Sequence, residues 1–286
     1  MGVVNVTPDS FSDGGAWLDP VAAVAHGSDL ARQGADILDI GGESTRPGAE
    51  PVDTAEELRR VVPVLVELAP LGPRLSIDTS KALVADAALQ AGATIVNDVT
   101  ALRGDPDMAA LLAGRDCDVC LMHMLGEPRT MQRDPRYDDV VDDVKAFLAE
   151  RLEYAIAQGI AEGRVWLDPG IGFGKTIEHN LELLRRLGEL VALGRPLVIG
   201  TSRKSFLGAI TGRGPLERIP GTIATNVLAL AAGARVFRVH DVAEARDALD
   251  VAAATLRGRW VLETTTPTIP STTTSSTTTS RRSGRS

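Results

Sequence analysis

The sequence predicts a single-domain α/β protein folded as a closed (β/α)8 TIM barrel. Short apolar runs that end in a polar residue or a glycine recur eight times, and a helical stretch follows each of them. This alternation is typical of a parallel sheet, and eight such units within about 260 residues fit a closed barrel. Because the carboxyl ends of the strands carry the active site in this fold, the polar residues after each run are the functional candidates.

The eight strands are placed by their apolar residues and by the polar residue or loop that each one reaches. In chain order they are 3–4 before Asn5, 37–40 before the loop 41–46, 75–77 before Asp78, 95–96 before Asn97, 119–122 before His123, 165–167 before Asp168, 197–199 before the loop 200–204, and 236–239 before His240. For Asp78 and Asn97, capping of the following helix is an alternative role.

The helices are placed by capping residues and apolar spacing. Pro20 fits the first position of the first helix, and Thr54 with Glu57 three residues later is typical of a capping box that begins the second. Later helices are expected at 137–158, 179–191, 219–232 and 242–256. Residues 1–262 are therefore predicted to form the barrel, and the Thr-, Ser- and Arg-rich segment 263–286 to be a disordered tail.

The segment 168–175 reads Asp-Pro-Gly-Ile-Gly-Phe-Gly-Lys and begins where the sixth strand ends. Pro169 cannot donate to a sheet, and the three glycines let the backbone approach a ligand closely. A simple turn after a strand is the alternative interpretation. The segment is not a phosphate-binding P-loop, because Pro169 occupies the place of its first glycine, and it lacks the third glycine of a dinucleotide-binding fingerprint.

Composition and charge exclude several classes of protein. The formal net charge is −8, which argues against a nucleic-acid partner. No apolar run approaches the roughly 18 residues that a membrane span needs, and no signal sequence precedes the first strand. Cys117 and Cys120 have the spacing of a metal or redox motif, but no second ligand pair accompanies them, so we interpret them as core residues. We therefore expect a cytoplasmic protein.

The polar strand ends predict a pocket with a cationic side. Four cationic or imidazole side chains lie at the ends of three strands: Arg46, Lys204, Arg238 and His240. Because side chains alternate along a strand, Arg238 and His240 share one face of the last one. Such a group favours a phosphorylated or diphosphorylated ligand, and Asn5 together with phosphate oxygens would suit Mg2+.

The other side of the pocket is predicted to bind a nitrogen heterocycle. Asp78, Asn97 and Asp168 carry acceptor oxygens that can receive the hydrogen-bond donors of such a ring. An ion pair of Arg238 with Asp78 or Asp168 is the structural alternative, since a buried guanidinium needs an anionic partner.

Longer motifs lie at the strand ends. They are 5–15 (Asn-Val-Thr-Pro-Asp-Ser-Phe-Ser-Asp-Gly-Gly), 42–48 (Gly-Glu-Ser-Thr-Arg-Pro-Gly), 77–80, 97–98, 121–124, 168–175, 202–206 and 238–241. Together and in this order, they resemble the dihydropteroate synthase family, the folate-pathway enzymes that sulfonamides target. The resemblance extends from Gly2 to about Leu256, which is nearly all of the expected barrel.

The resemblance implies a reaction and its site. The chain would join 6-hydroxymethyl-7,8-dihydropterin diphosphate to 4-aminobenzoate, giving 7,8-dihydropteroate and diphosphate through a cation-like pterin methylene. The implied pterin-binding residues are Asp78, Asn97, Met122, Asp168, Phe173, Lys204 and Arg238. The implied diphosphate-binding residues are Asn5, Arg46, Arg238 and His240, with Mg2+ on Asn5. The implied 4-aminobenzoate-binding residues are Phe11, Thr45, Pro47 and Ser205. The implied catalytic residues are Asp13 (near the amine), Asp78, Asp168, Lys204 and Arg238.

Three alternatives remain open from the sequence. A pterin-binding methyltransferase that acts on methyltetrahydrofolate would share the barrel and the pterin-reading residues, but it would not need the Ser-Thr-Arg-Pro-Gly segment at 44–48. A non-catalytic pterin-binding paralogue and a phosphate-binding barrel for sugar chemistry are the others. The resemblance also implies a homodimer, with the apolar, Ala-rich helices near the C-terminus as the expected interface.

Overall fold

The computed structural model describes residues 1–7, 20–44 and 48–259. The strands are β1 (Gly2–Asn5), β2 (Ile37–Gly41), β3 (Arg74–Asp78), β4 (Ile95–Asp98), β5 (Asp118–Met122), β6 (Val165–Asp168), β7 (Val198–Ile199) and β8 (Val236–Phe237). The helices are α1 (Pro20–Arg32), α2 (Thr54–Leu68), α3 (Ala82–Gln90), α4 (Met108–Ala113), α5 (Val140–Ala157), α6 (Ile177–Arg185), α7 (Leu187–Val191), α8 (Ser205–Thr211), α9 (Ile219–Ala232) and α10 (Val242–Arg257). All eight expected strands are present.

The eight strands close into a barrel. β1 to β6 pair in chain order as parallel neighbours, and β7 pairs with β8 in the same sense. Two backbone contacts join the remaining edges: the Leu167 N–H donates to the Pro196 carbonyl at 2.9 Å, and the Val3 N–H donates to the Val239 carbonyl at 3.0 Å. The predicted (β/α)8 barrel is confirmed, and the carboxyl ends of all its strands therefore lie on one rim.

Alternation along the strands sorts the barrel interior into layers. An apolar cluster fills the amino-terminal half of the interior: Ile37, Ile95, Cys120, Trp166 and Val198. Two residues further along four of these strands come the side chains of the next layer: Asp39, Asn97, Met122 and Asp168. Since successive side chains point to opposite faces, the second set shares the inward face of the first. The strand period thus places apolar support directly beneath the polar rim.

The beginning of α2 differs from the prediction. Asp53 is its capping residue, and the Asp53 carboxylate accepts a hydrogen bond from the Glu56 N–H at 2.8 Å. The predicted capping box of Thr54 and Glu57 is therefore wrong. Glu57 is instead fully buried, and its carboxylate accepts a hydrogen bond from Lys81, which lies in the loop after β3.

The predicted helix 179–191 is two helices, α6 and α7. Arg186 interrupts them with φ −103° and ψ 21°. Its guanidinium donates to Asp139 at 2.6 Å and to Glu189 at 2.8 Å. Asp139 also caps α5 by accepting from the Val141 N–H at 2.8 Å, so that helix begins at residue 140 and not at 137.

The two cysteines are core residues, as expected. Both are buried and free, and Cys120 belongs to the apolar cluster inside the barrel. Burial raises the pKa of the Cys120 thiol well above its ordinary value. Across the described ranges, no helix is both long enough and apolar enough to cross a membrane. The predicted tail, 263–286, lies outside the described residues.

Candidate active site

A pocket opens at the carboxyl ends of the strands. Eight side chains of its wall are ones that the sequence predicted: Asp78, Asn97, Met122, Asp168, Phe173, Lys204, Arg238 and His240. They come from six different strand ends, and barrel closure brings them together. The wall also includes Val99, Gly170, Ile171, Gly200 and Ser202.

Asp168 and Lys204 meet at the loop that follows β6. Asp168 is buried, and its Oδ1 accepts a hydrogen bond from the Gly170 N–H at 2.7 Å. Lys204 Nζ donates to the Ile171 carbonyl at 2.6 Å and lies 4.2 Å from the centre of the Phe173 ring. Burial raises the pKa of Asp168 and lowers the pKa of Lys204 to about 8. The loop therefore presents a carboxylate, an ammonium group and an aromatic face to one small space.

Arg238 is held between two carboxylates. Its Nε donates to Asp39 Oδ2 at 2.6 Å, and its Nη2 donates to Asp78 Oδ2 at 2.9 Å. Asn97 Nδ2 donates to the same Asp39 oxygen at 3.3 Å. The ion pair of Arg238 with Asp78 thus exists, and it leaves the guanidinium in the pocket wall. Asp39 is absent from the predicted site residues, and its signal in the sequence is a carboxylate inside an apolar run.

The helix-capping role considered for Asp78 and Asn97 is wrong. Their side chains bond to Arg238 and Asp39, whereas the first N–H of α3, at Ala82, donates to Asp105. Burial raises the pKa of Asp78 to about 7, and the nearby Arg238 opposes this rise. Asp78 therefore changes its protonation state close to neutral pH.

The loops after β7 and β8 are tied to each other. Ser202 Oγ accepts from the His240 backbone N–H at 3.1 Å and lies 3.0 Å from His240 Nδ1. Arg203 adopts a left-handed backbone conformation, with φ 57°, and its guanidinium pairs with Asp241 at 2.6 Å. These contacts hold Lys204 and His240 on the same wall of the pocket.

A further polar pair lies behind the β6 loop and was not predicted as a unit. Lys175 Nζ is 2.9 Å from His123 Nδ1 and donates to the Phe173 carbonyl at 3.0 Å. Burial lowers the pKa of Lys175 to about 7 and also lowers the pKa of His123. Tyr137 donates to the Gly174 carbonyl at 2.7 Å. His123, which the strand pattern placed at the rim, thus supports the loop from behind.

Five predicted residues lie outside the described ranges, and their roles remain predictions: Phe11, Asp13, Thr45, Arg46 and Pro47. The positions of two others, Asn5 and Ser205, are described. Asn5 ends β1, where it pairs in register with Gly41. Ser205 is the exposed first residue of α8.

The fit of Mg2+ depends on a substrate. Within the described ranges, no group of three or more His, Cys, Asp or Glu residues could hold a metal ion. Asn5 offers one amide oxygen at the rim, and Mg2+ commonly takes most of its remaining ligands from substrate phosphates and water. The residues present therefore fit a Mg2+ ion that arrives with a diphosphate.

Comparison with known proteins identifies the family. The family model of pterin-binding enzymes matches residues 1–240. The dihydropteroate synthase of Neisseria meningitidis serogroup B is 49% identical over 257 residues, which cover 88% of this chain and 90% of that protein. The Yersinia pestis dihydropteroate synthase in complex with a sulfonamide drug has a TM-score of 0.87 at 45% identity, covering 90% of this chain and 94% of that one. The Xanthomonas albilineans enzyme with 4-aminobenzoic acid has a TM-score of 0.84 at 50% identity, covering 90% of this chain and 92% of that one.

The fold agrees with the folds of the solved relatives. A shared barrel would not by itself indicate an activity, but the 49% identity to the Neisseria enzyme extends over 88% of this chain. The chain therefore belongs to the dihydropteroate synthase family of pterin-binding enzymes.

Proposed function

We propose that this chain condenses 6-hydroxymethyl-7,8-dihydropterin diphosphate with 4-aminobenzoate to give 7,8-dihydropteroate and diphosphate. The pocket carries this proposal, because two carboxylates and an amide share its wall with an ammonium group, a guanidinium and an imidazole. The acceptors suit a nitrogen heterocycle, and the cations suit an anionic leaving group. The relatives named dihydropteroate synthase support the same activity.

The pterin is proposed to bind at the acceptor side of the pocket. Seven residues are assigned to it: Asp78, Asn97, Met122, Asp168, Phe173, Lys204 and Arg238. The hydrogen bond from Gly170 fixes the orientation of the Asp168 carboxylate. The two carboxylates that hold Arg238 likewise fix its guanidinium before any ligand arrives. Such fixed groups lose little conformational freedom on binding, which favours affinity.

The first chemical step is proposed to be departure of diphosphate. The bond between the pterin methylene carbon and the diphosphate oxygen breaks, and its electron pair leaves with that oxygen. Four residues are assigned to the diphosphate: Asn5, Arg46, Arg238 and His240. When bound at Asn5, Mg2+ supplies positive charge to the leaving oxygens. The buried carboxylates of Asp78 and Asp168 stabilise the positive charge that develops on the pterin.

The second step joins the two substrates. The amine nitrogen of 4-aminobenzoate forms a bond to the methylene carbon and loses a proton. Four residues are assigned to this substrate, with Asp13 near its amine: Phe11, Thr45, Pro47 and Ser205. Ser205 directly follows Lys204, which lines the pocket, and this adjacency supports its assignment.

Diphosphate release tests the proposed function. The purified chain is mixed with the pterin diphosphate, 4-aminobenzoate and Mg2+, and parallel reactions omit 4-aminobenzoate or contain EDTA. We expect diphosphate and dihydropteroate in equal amounts, and we expect EDTA to abolish both. Tight pterin binding without product would instead favour the non-catalytic paralogue, and methyl transfer from methyltetrahydrofolate would favour the methyltransferase.

We also propose that the chain forms a homodimer through α9 and α10. These helices pack together and leave an apolar groove between them, lined by Val227, Ala231, Ala248, Val251, Ala252 and Leu256. Val251, Leu228 and Leu256 are 69%, 66% and 58% exposed. A contiguous exposed apolar face is typical of an association surface, so a second copy is proposed to cover it. The cytoplasmic location expected from the sequence remains a prediction.

A further inference from the structure

A partly buried ion network lies at the end of β2. Lys81 Nζ donates to the carboxylate of Glu43 and, at 2.5 Å, to that of Glu57. The three residues belong to different parts of the chain: Glu43 to the loop after β2, Glu57 to α2, and Lys81 to the loop after β3. The side chain of Glu57 is fully buried, and those of Glu43 and Lys81 are 27% and 24% exposed. The network therefore joins three separate elements at one point.

The backbone between β2 and this network is also fixed. The Gly42 carbonyl accepts from Arg60 Nη1 of α2 at 2.9 Å. A side chain at Gly42 would place its Cβ 2.7 Å from a methyl group of Val61 and 3.0 Å from Glu57 Cγ. Only glycine allows this approach, so Gly42 is docked against α2. The chain direction at residues 42 and 43 is thus set by contacts with α2 and Lys81.

The docked segment begins directly beside the pocket. Gly41 pairs with Asp78 in the register of β2 and β3, and the Cβ position of Gly41 is 3.7 Å from Asp78 Oδ2. Lys81 follows Asp78 by three residues. One strand end therefore carries both a pocket carboxylate and the lysine that holds the neighbouring loop.

Stability alone is a poor explanation for this network. One lysine faces two carboxylates, and Glu57 Oε1 finds no hydrogen-bond partner among the residues that the structure describes. Apolar side chains of similar volume would commonly stabilise such a position as well or better, because removing charges from water is unfavourable. A lysine that bridges two carboxylates instead fixes the relative position of the elements that bear them.

We infer that Lys81, held between Glu43 and Glu57, is a positioning residue that fixes residues 42–44 at the end of β2 and thereby sets the affinity for the second substrate. The inference rests on the proposed function, in which Thr45 and Pro47 of this loop contact 4-aminobenzoate. The pterin residues lie on other strand ends and have their own supports. Loss of the network should therefore weaken 4-aminobenzoate binding selectively.

The variant Glu43→Gln tests this inference with little risk to folding. It removes the loop's charge from the network but leaves the buried Glu57 paired with Lys81. We expect the KM for 4-aminobenzoate to rise by about 5- to 20-fold, the range that loss of one charge-assisted hydrogen bond allows. The affinity for the pterin diphosphate, measured without 4-aminobenzoate, should stay within about twofold of wild type, and the Tm within a few degrees.

Two further variants serve as controls. Glu50→Gln makes the same charge change further along the same connection, where the carboxylate is 77% exposed and pairs with Arg129 at the surface. It should leave both substrates unaffected. Lys81→Arg, which retains a cation able to meet two carboxylates, should keep most of the 4-aminobenzoate affinity that Lys81→Met loses.

The outcomes separate the inference from the proposed function. A 4-aminobenzoate KM for Glu43→Gln that stays within twofold of wild type would overturn the inference, and so would an equal loss of affinity for both substrates. Neither result would affect the assignment of the reaction, which the wild-type chain reports in the same assay. Absence of dihydropteroate from the wild-type reaction would overturn the proposed function and the inference together.

Discussion

Replacing Gly170 with alanine should disrupt the loop that carries the pterin side of the pocket. Gly170 has φ +64°, and an added Cβ would lie 1.9 Å from the His123 carbonyl oxygen. Real Cβ atoms essentially never come closer than 3.0 Å to another heavy atom, so the backbone would have to move by about 1 Å. The Asp168 carboxylate accepts from the Gly170 N–H, and the Phe173 N–H donates to the Gly170 carbonyl. The movement would therefore displace both side chains.

The expected magnitude has two parts. A left-handed backbone conformation is less favourable for alanine than for glycine by about 1–2 kcal/mol. Forcing a methyl group into a filled space typically lowers the free energy of unfolding by about 1–3 kcal/mol more. We therefore expect Gly170→Ala to lower the free energy of unfolding by about 2–5 kcal/mol and to weaken pterin diphosphate binding at least about tenfold.

Gly212→Ala is the matched control for this variant. Gly212 has a similar backbone angle, φ +71°, but no atom lies within 4 Å of its Cβ position. Denaturant unfolding and calorimetric titration of pterin diphosphate should show a loss of only about 1–2 kcal/mol in stability and unchanged affinity. Equal effects of the two variants on stability and affinity would refute the close contact between Gly170 and His123.

Three other predictions concern the pocket carboxylates and the apolar face of α10. Asp168→Asn should lower turnover at least about 100-fold, because the carboxylate that stabilises positive charge on the pterin is lost. Asp134→Asn, at an exposed carboxylate, is the control. Near-normal turnover of Asp168→Asn, or an equal loss in the control, would contradict this role. Burial raises the pKa of Asp78 to about 7, so the fraction of Asp78 that is ionised and able to accept from the pterin increases through neutral pH. The affinity for the pterin diphosphate should therefore rise with pH in this range. Binding titrations at several pH values should find this dependence absent in Asp78→Asn. Because this folded-state pKa lies above the unfolded value, the stability that Asp78 contributes in the free protein should decrease as the pH rises through about 7. Val251→Glu should give a monomer in light scattering, and a dimer of unchanged affinity would exclude the α9–α10 interface.

The fold and most of the pocket follow from local features of the sequence. At each of its eight occurrences, an apolar run that ends in a polar residue or a glycine predicts a strand whose carboxyl end lies at the rim of the barrel. This holds because the parallel strands of a barrel all direct their carboxyl ends to one rim. Asp78, Asn97 and Asp168 could therefore be assigned to one pocket without knowledge of any contact between them. The strand period likewise predicted that Arg238 and His240, which follow β8, share one face, and both side chains line the pocket.

Local sequence was less informative about where individual helices begin and end. Thr54 with Glu57 matches the capping-box pattern, yet the residue that caps α2 is Asp53. The Glu57 carboxylate is not available for capping because it accepts a hydrogen bond from Lys81. The break at Arg186 has a similar cause, since its guanidinium pairs with Asp139 at the beginning of another helix. In both cases a distant charged partner decides a boundary that local propensity leaves open.

The sequence by itself determined which residues reach the rim, and the tertiary structure decided which of them touch. Arg238 and Asp39 lie 199 positions apart, and their contact depends on β8 closing the barrel against β1 and β2. The Lys175–His123 pair and the network of Lys81 arise in the same way, from loops that only the closed barrel brings together. The strand period is a property of a few consecutive residues, whereas the partner of a buried charge is set by the packing of the whole chain.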